Sequence, residues 1–239
     1  MTIKMIACDL DGTLLRTDKT VSQYTLDMLN KCRGLGIKFA IATARNIYQT
    51  MPVADILNPD VMIYQGGALA MIDGEIVHSV VLSADSAKII MGGLLQRDDI
   101  ASITSLGEDF YATGFAGRYP DKLHSISAGF GKPLGDFGKN LPDVGIIQYR
   151  GENLVRFAHK EATKWHAVQA CAAHFGISVA EIAAFGDDSI DIDMLQGCGA
   201  GVAVGNAIPE VKAAADFVCG TNDNDGVAKW LEEHIWRSA

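Results

Sequence analysis

Paired cysteines are missing from this chain. Its five cysteines, Cys8, Cys32, Cys171, Cys198 and Cys219, are odd in number, far apart and without a C-x-x-C pair. That argues against a disulfide framework or a zinc site, and for reduced thiols in a cytoplasmic setting. Missing too is any apolar run long enough to span a bilayer. The opening "MTIKMIAC" is too short for the apolar stretch of a signal peptide, and no small-residue cleavage pattern follows it. Positive charge is in deficit: 20 Lys and Arg against 29 Asp and Glu leave a net charge of −9. Such a field disfavours a nucleic-acid or anionic-membrane partner, and an anionic substrate would need a local cation to approach. Repeats and low-complexity tracts are absent. So are a G-x-x-x-x-G-K-S/T phosphate loop, a G-x-S-x-G nucleophile elbow and an H-E-x-x-H metal pair. The glycines of "GCGAGVAVG" (197–205) precede an apolar strand instead of following one, so they do not make a dinucleotide loop.

What is present reads as globular. The chain has 239 residues, 49% of them apolar, enough for one large α/β domain or a core domain plus a smaller second one. "IKMIAC" (3–8), "IKFAIATA" (37–44) and "DVMIY" (60–64) are short continuous apolar runs, as expected of strands buried on both faces. Between the first two, "VSQYTLDMLNKCRGLG" places Leu26, Leu29 and Leu35 on a helical period and ends in glycine. Strand, helix, strand at this spacing predicts a parallel sheet with crossover helices. Asp73-Gly74 between two apolar runs predicts a hairpin.

Near Ser83 the pattern changes. "SADSAKIIMGGLLQ" reads as a helix capped by Ser83 or Asp85. Four strand-like pieces follow it, "ASITSL", "FYATGF", "VGIIQY" and "NLVRFA", while the stretch 116–143 resists assignment. These pieces read as antiparallel, which makes residues 83–157 an inserted α+β unit between core segments 1–82 and 158–239. From 163 the α/β rhythm resumes, with a helix in "ATKWHAVQACAAHFG", a capping box in "SVAE", strands in "IAAFGDD" and "GVAVG", and a last helix in "GVAKWLEEHIW".

Two of the predicted strands end in acid: Asp9 and Asp11 after the first, Asp187 and Asp188 after "IAAFG", with Asp191 close behind. In an open parallel sheet the site lies at the carboxyl ends of the strands. If these two strands are neighbours, Asp9, Asp11, Asp187 and Asp191 share one crevice, where they cannot all stay ionised without a counter-charge. A hard divalent cation with oxygen ligands, Mg²⁺ first among them, meets that need and commonly brings phosphate with it. Either loop alone reads equally well as a helix cap. Thr43, at the end of "FAIATAR", offers a hydroxyl and, with Ala44, backbone N–H groups at a strand-to-helix turn. Lys164 opens a helix, the end where cations are usually disfavoured, which points to a nearby anion.

"DLDGT", Thr43 in "ATAR", Lys164 and "GDDSIDIDML" occur in that order. With the closing "GAGVAVGNAIPEVKAAADFV", the chain resembles the haloacid dehalogenase superfamily, specifically its Cof-type phosphatases with an α/β cap. The resemblance covers 1–82 and 158–239 by motif, and 83–157 by position. It implies a doubly wound parallel-sheet core with an inserted α+β cap that closes over the site. It also implies a Mg²⁺-dependent phosphomonoesterase acting on a small phosphorylated metabolite, a sugar phosphate or cofactor-like phosphate, through an aspartyl-phosphate. Asp9 would be the nucleophile and Asp11 the general acid and base, its backbone carbonyl completing a metal shell with Asp9, Asp187 and Asp191. Thr43, Ala44, Lys164 and, by the family's Gly-Asn-Ala, Asn206 would bind phosphate.

Three positions depart from the family's pattern: Ala44 stands for a glycine, Ile190 for an asparagine, and Gln65 for another asparagine. They bear on rate and substrate preference and leave the nucleophile, acid and metal ligands in place. Two further readings stay open: a phosphosugar mutase of the same superfamily, and a phosphate-binding or regulatory protein with weakened catalysis. Arg118, Lys122 and Arg150 in the insert are cations that could meet an anionic substrate, although such residues are more often solvated surface charges. The expected partner is a phosphorylated small molecule, with no nucleic acid and no membrane; monomer and homodimer are both compatible with the sequence.

Overall fold

The structure is a computed structural model that describes residues 2–107, 111–113, 122–149 and 153–238. The chain folds into two compact units, one from residues 1–78 and 163–239 and a smaller one from 79–162. Arg118 and Arg150 lie outside the described residues, and Lys122 is exposed.

The larger unit opens with strand β1 (Met5–Cys8), helix α1 (Gln23–Gly34), β2 (Lys38–Ala42), α2 (Ile47–Leu57) and β3 (Val61–Tyr64). All four residues of β1 are fully buried, which explains its unbroken apolar run: crossover helices cover both faces of a parallel sheet. Ser22 caps α1, and the helix turns Thr25, Met28, Leu29 and Cys32 inward. Of the expected Leu26, Leu29 and Leu35, Leu29 lies in the core and the partly buried Leu26 packs against it. The actual face runs i, i+3, i+4, i+7 through two residues of modest hydrophobicity, and Leu35 is exposed. Asn46 caps α2 in a reciprocal capping box with Gln49. Strands β4 (Leu69–Ile72) and β5 (Glu75–Ser79) follow, joined by Asp73 and Gly74 with φ of +51° and +83°, the two left-handed residues that a tight hairpin turn needs.

The smaller unit contains α3 (Ala84–Leu95), capped by Ser83, then β6 (Ile100–Leu106), β7 (Tyr111–Thr113), β8 (Ser125–Phe130), β9 (Val144–Gln148) and β10 (Leu154–His159). Its strands form one sheet in the order β7-β6-β8-β10-β9, with its four pairings all antiparallel. Strand β8, at the centre, falls within the stretch that resisted assignment. Its sequence "SISAGF" has one long aliphatic side chain, Ile126, and otherwise small residues apart from its last, so no run betrays it. Ile90, Met91 and Leu94 of α3 pack with Ile103, Ile126, Val155 and Phe157 of the sheet in a core of their own.

The chain then completes the larger unit with α4 (Lys164–His174), β11 (Ile182–Gly186), α5 (Ile192–Gly197), β12 (Ala200–Ala203), α6 (Pro209–Ala214), β13 (Phe217–Val218) and α7 (Gly226–His234). The eight-stranded sheet runs β13-β12-β11-β1-β2-β3-β4-β5. From β1 the chain winds outward one way through β2 and β3 and later returns to wind the other way through β11, β12 and β13. The reversal falls between β1 and β11, which pair in parallel from Met5 opposite Ile182 to Cys8 opposite Phe185. A crevice opens at the carboxyl ends of strands where the winding reverses. Among the described residues no helix is long and apolar enough to cross a membrane.

Candidate active site

Both acid-bearing strands end at that reversal. Asp9 follows β1, its N–H bonded to the Phe185 carbonyl at 3.0 Å, and Asp187 follows β11. Asp191 arrives from a short turn after β11, where its Oδ2 accepts from the N–H groups of Asp187 and Asp188 at 3.0 and 3.1 Å. One carboxylate oxygen from each of Asp9, Asp187 and Asp191 lies within 4.8 Å of the others.

Lys164 is the cation among them. Thr163 caps α4, so Lys164 is the first residue of the helix, and its fully buried Nζ donates to Asp9 Oδ1 and Asp191 Oδ1, each at 2.6 Å. Its placement against the usual helix preference is thus explained by the two anions it holds. Backbone packing fixes that position: at Gly67, φ +105°, a side chain would overlap the Thr163 carbonyl.

The charges do not balance. Three carboxylates against one ammonium leave two negative charges in a largely buried pocket. Burial is the main force that pushes the Asp9 carboxyl up to about 8, with the Asp191 and Asp187 charges adding to it and Lys164 opposing. Asp187 rises to about 6 for the same first reason, although the Thr13 hydroxyl bond pulls the other way. Burial lowers Lys164, but Asp191 and Asp9 outweigh it and raise its affinity for the proton. An all-oxygen donor set with an excess of two negative charges fits a hard divalent cation.

The loop between Asp9 and Thr13 is shaped for this crowding. Gly12 has φ +83°, and a Cβ there would lie 2.5 Å from Asp187 Oδ2; both facts require glycine. Thr13 Oγ1 donates to Asp187 Oδ1 at 2.8 Å, fixing that carboxylate across the crevice.

Asp11 points elsewhere. Its carboxylate takes a two-pronged contact from Arg45, Nε to Oδ2 at 2.6 Å and Nη2 to Oδ1 at 2.7 Å, and a third from Lys19 Nζ at 2.7 Å. Partial burial works against ionisation, but these bonds win and hold the carboxyl below its ordinary range. Thr43 is buried, with its Oγ1 accepting from the Arg45 N–H at 3.1 Å, and Ala44 lies in the same turn before α2. Asn206 braces the loop: its Nδ2 donates to the Gly12 carbonyl at 2.6 Å and its Oδ1 accepts from the Asn222 N–H at 3.0 Å. The structure therefore brings Asp9, Asp187, Asp191 and Lys164 together. It keeps the Asp11 carboxylate apart from them and engages Asn206 with backbone.

Sequence reasoning passed over Arg45, Lys19 and Thr13. The first and last stand inside the quoted "ATAR" and "DLDGT" runs, so a charge two residues after Thr43 and a hydroxyl after Gly12 were signals to hand. Lys19 carried none.

Comparison with known proteins agrees with this geometry. The profile of the haloacid dehalogenase-like hydrolases matches residues 6–128 and 131–231. The HMP-PP phosphatase of Escherichia fergusonii is 28% identical over 260 residues, covering 95% of this chain and 94% of its own length. The 5-amino-6-(5-phospho-D-ribitylamino)uracil phosphatase of Escherichia coli K12 is 25% identical over 268 residues, covering 100% and 98%. Among solved structures, the HAD-superfamily phosphatase BT1666 of Bacteroides thetaiotaomicron superposes with a TM-score of 0.84 at 25% identity, covering 97% of this chain and 95% of that one.

Proposed function

The chain belongs to the haloacid dehalogenase-like hydrolases and is an enzyme acting on phosphate esters; from that premise we propose that it dephosphorylates a small phosphorylated metabolite, using Mg²⁺ and an aspartyl-phosphate on Asp9. The observation that carries this reading is the convergence of Asp9, Asp187 and Asp191 around the buried Lys164. Asp9, Asp187 and Asp191 would hold the cation, with the Asp11 backbone carbonyl as a further ligand. When bound, Mg²⁺ neutralises charge so that a carboxylate and a phosphate can approach, and steadies the charge of the transition state.

Asp9 Oδ1 is held by Lys164. Its other oxygen attacks phosphorus, the P–O bond to the alcohol breaks, and Asp11 gives the leaving oxygen a proton. Asp11 then takes a proton from water, whose oxygen attacks the same phosphorus and releases inorganic phosphate and the free Asp9 carboxylate. Arg45 and Lys19 keep Asp11 ionised in the present arrangement, which suits its role as a base; its role as an acid requires those bonds to part. Thr43, the Ala44 N–H and Lys164 hold the phosphoryl oxygens, while Asn206 keeps the Asp11-Gly12 turn in place. Substrate selection is assigned to the smaller unit. Five unpaired cysteines support a reducing, cytoplasmic setting.

The test is phosphate release from a panel of sugar phosphates, phosphorylated cofactors and an aryl phosphate, with Mg²⁺ and then with EDTA, Asp9→Asn serving as the blank. Metal-dependent release that is lost in the variant supports the reading. Full activity in Asp9→Asn refutes it, and transfer of phosphate to a second hydroxyl without release makes the enzyme a mutase.

A further inference from the structure

The smaller unit buries a cation without an anion among the described residues to hold it. Arg156, in the middle of β10, is 2% exposed, and its Nε, Nη1 and Nη2 atoms have no hydrogen-bond partner. Burial lowers its affinity for the proton, and Tyr149, through its charge and a weak side-chain hydrogen bond outside ordinary geometry, acts the other way without supplying a carboxylate. No carboxylate among the described residues forms an ion pair with it. A guanidinium cannot escape by losing its proton, as a buried lysine does.

Register shows what stands beside it. Arg156 is directly opposite Ser127 of β8, and Ser127 is directly opposite Thr104 of β6. Directly opposed residues share a face of the sheet. The neighbours of Arg156 along its own strand, Val155 and Phe157, belong to the core formed with α3, so Arg156, Ser127 and Thr104 line the face turned away from that helix. Ile147 of β9 completes the row on its other side. One guanidinium and two hydroxyls thus stand in line across three strands, without an acid among them.

Buried charges in proteins are paired, and a planar fork of N–H donors matches two oxygens of one carboxylate or phosphate. We propose that Arg156 anchors an oxyanion-binding site on the smaller unit, flanked by the Ser127 and Thr104 hydroxyls, whose ligand carries a carboxylate or phosphate group. The site shares no residue with the Asp9 cluster and stands whether or not the proposed phosphatase chemistry does.

Melting of the full-length protein in EDTA and chloride buffer of fixed ionic strength, with and without inorganic phosphate or 3-phosphoglycerate, tests this. An anion about 100-fold above its Kd raises the wild-type melting temperature by about 5–10 °C. Arg156→Met removes the unpaired charge, so without anion it melts at or above wild type, and it loses the Arg156-dependent part of the shift. Arg156→Lys keeps the charge and the fold but not the fork, and loses most of that part; it decides the matter should the methionine variant not fold. A loss seen with inorganic phosphate identifies a free anion as the ligand. A loss confined to 3-phosphoglycerate identifies an anionic substituent of a larger metabolite. Equal shifts in the wild type and the folded variants for both probes overturn the proposal.

Discussion

At the carboxyl edge of the eight-stranded sheet, Lys164 bonds Asp9 and Asp191 and the Asp187 carboxylate lies within 4.8 Å of theirs, whereas on the five-stranded sheet the Arg156 guanidinium has no carboxylate partner among the described residues. The first group is organised by protein: Lys164 bridges two aspartates, Thr13 fixes a third, and backbone N–H groups hold Asp191. With all three carboxylates ionised it would nonetheless carry two surplus negative charges, and burial, together with those charges, raises Asp9 and Asp187. The second is organised only by register. Both units therefore bury charge, of opposite sign, that the described residues alone do not neutralise. The lesson is that uncompensated buried charge marks where each unit expects something from outside.

Several experiments can break this contrast, and the largest effect falls on the nucleophile. Asp9→Asn should lower turnover by about 10⁴-fold or more, measured as phosphate release. A loss under tenfold would mean that the cluster does not carry the chemistry. Chelating the metal should abolish release to a similar degree in the wild type, and added Mg²⁺ should restore it.

Lys164→Met comes next. Removing one partner of a buried ion pair costs about 3–5 kcal/mol, or roughly 6–20 °C in melting temperature for a chain of this size. Because Lys164 is fully buried between Asp9 and Asp191, stability and activity should fall together in EDTA. An unchanged melting temperature would show that the aspartates hold their place without it.

A pH series sharpens the charge count. Asp9, raised to about 8, and Asp187, raised to about 6, bind protons more tightly folded than unfolded. Their contribution is full below about pH 4 and is lost as pH rises through those values. Asp11, held low, is ionised in both states above pH 5, so its stabilisation is fully present there and gives the curve no slope. In EDTA the melting temperature should fall between pH 5.5 and 8, and Mg²⁺ should flatten the curve; a rise in EDTA over that window would contradict the surplus of negative charge. The smallest effect is expected at the rim. Lys19, largely exposed, pairs with the half-exposed Asp11, and Lys19→Ala should cost no more than about 1 kcal/mol. A larger loss would mean that Asp11 depends on Lys19 more than on Arg45.

The same two units differ in how far they could be read. Strands β1, β2, β3 and β11 are buried on both faces, so each appears as an unbroken apolar run. After β1 and β11 the acids follow directly, because a strand must stop being apolar where it meets the crevice. Strand β8 gave no such signal, since small residues satisfy a position packed between two close neighbours. Arg156 was passed over in favour of Arg118, Lys122 and Arg150, because an arginine inside "NLVRFA" looks like the outward half of an alternating strand. In α1 the buried face includes Thr25 and Cys32, which hydrophobicity alone ranks behind Leu26 and Leu35.

What the sequence determined by itself was local: which segments are strands buried on both sides, where helices are capped, and that two acid-rich loops and a misplaced lysine exist. Those features depend on neighbours within a few residues, and short-range sterics and hydrogen bonding settle them. Tertiary structure alone decided that β1 and β11 are adjacent, that Lys164 bridges Asp9 and Asp191, and that Arg45 and Lys19 turn the Asp11 carboxylate aside. It alone decided, too, that Arg156 is buried in a row with the Ser127 and Thr104 hydroxyls and without an acid among the described residues. Apart from the Lys19 contact with Asp11, each of these joins residues far apart in the chain, and pairing at that range follows from strand order and register, which no local pattern encodes.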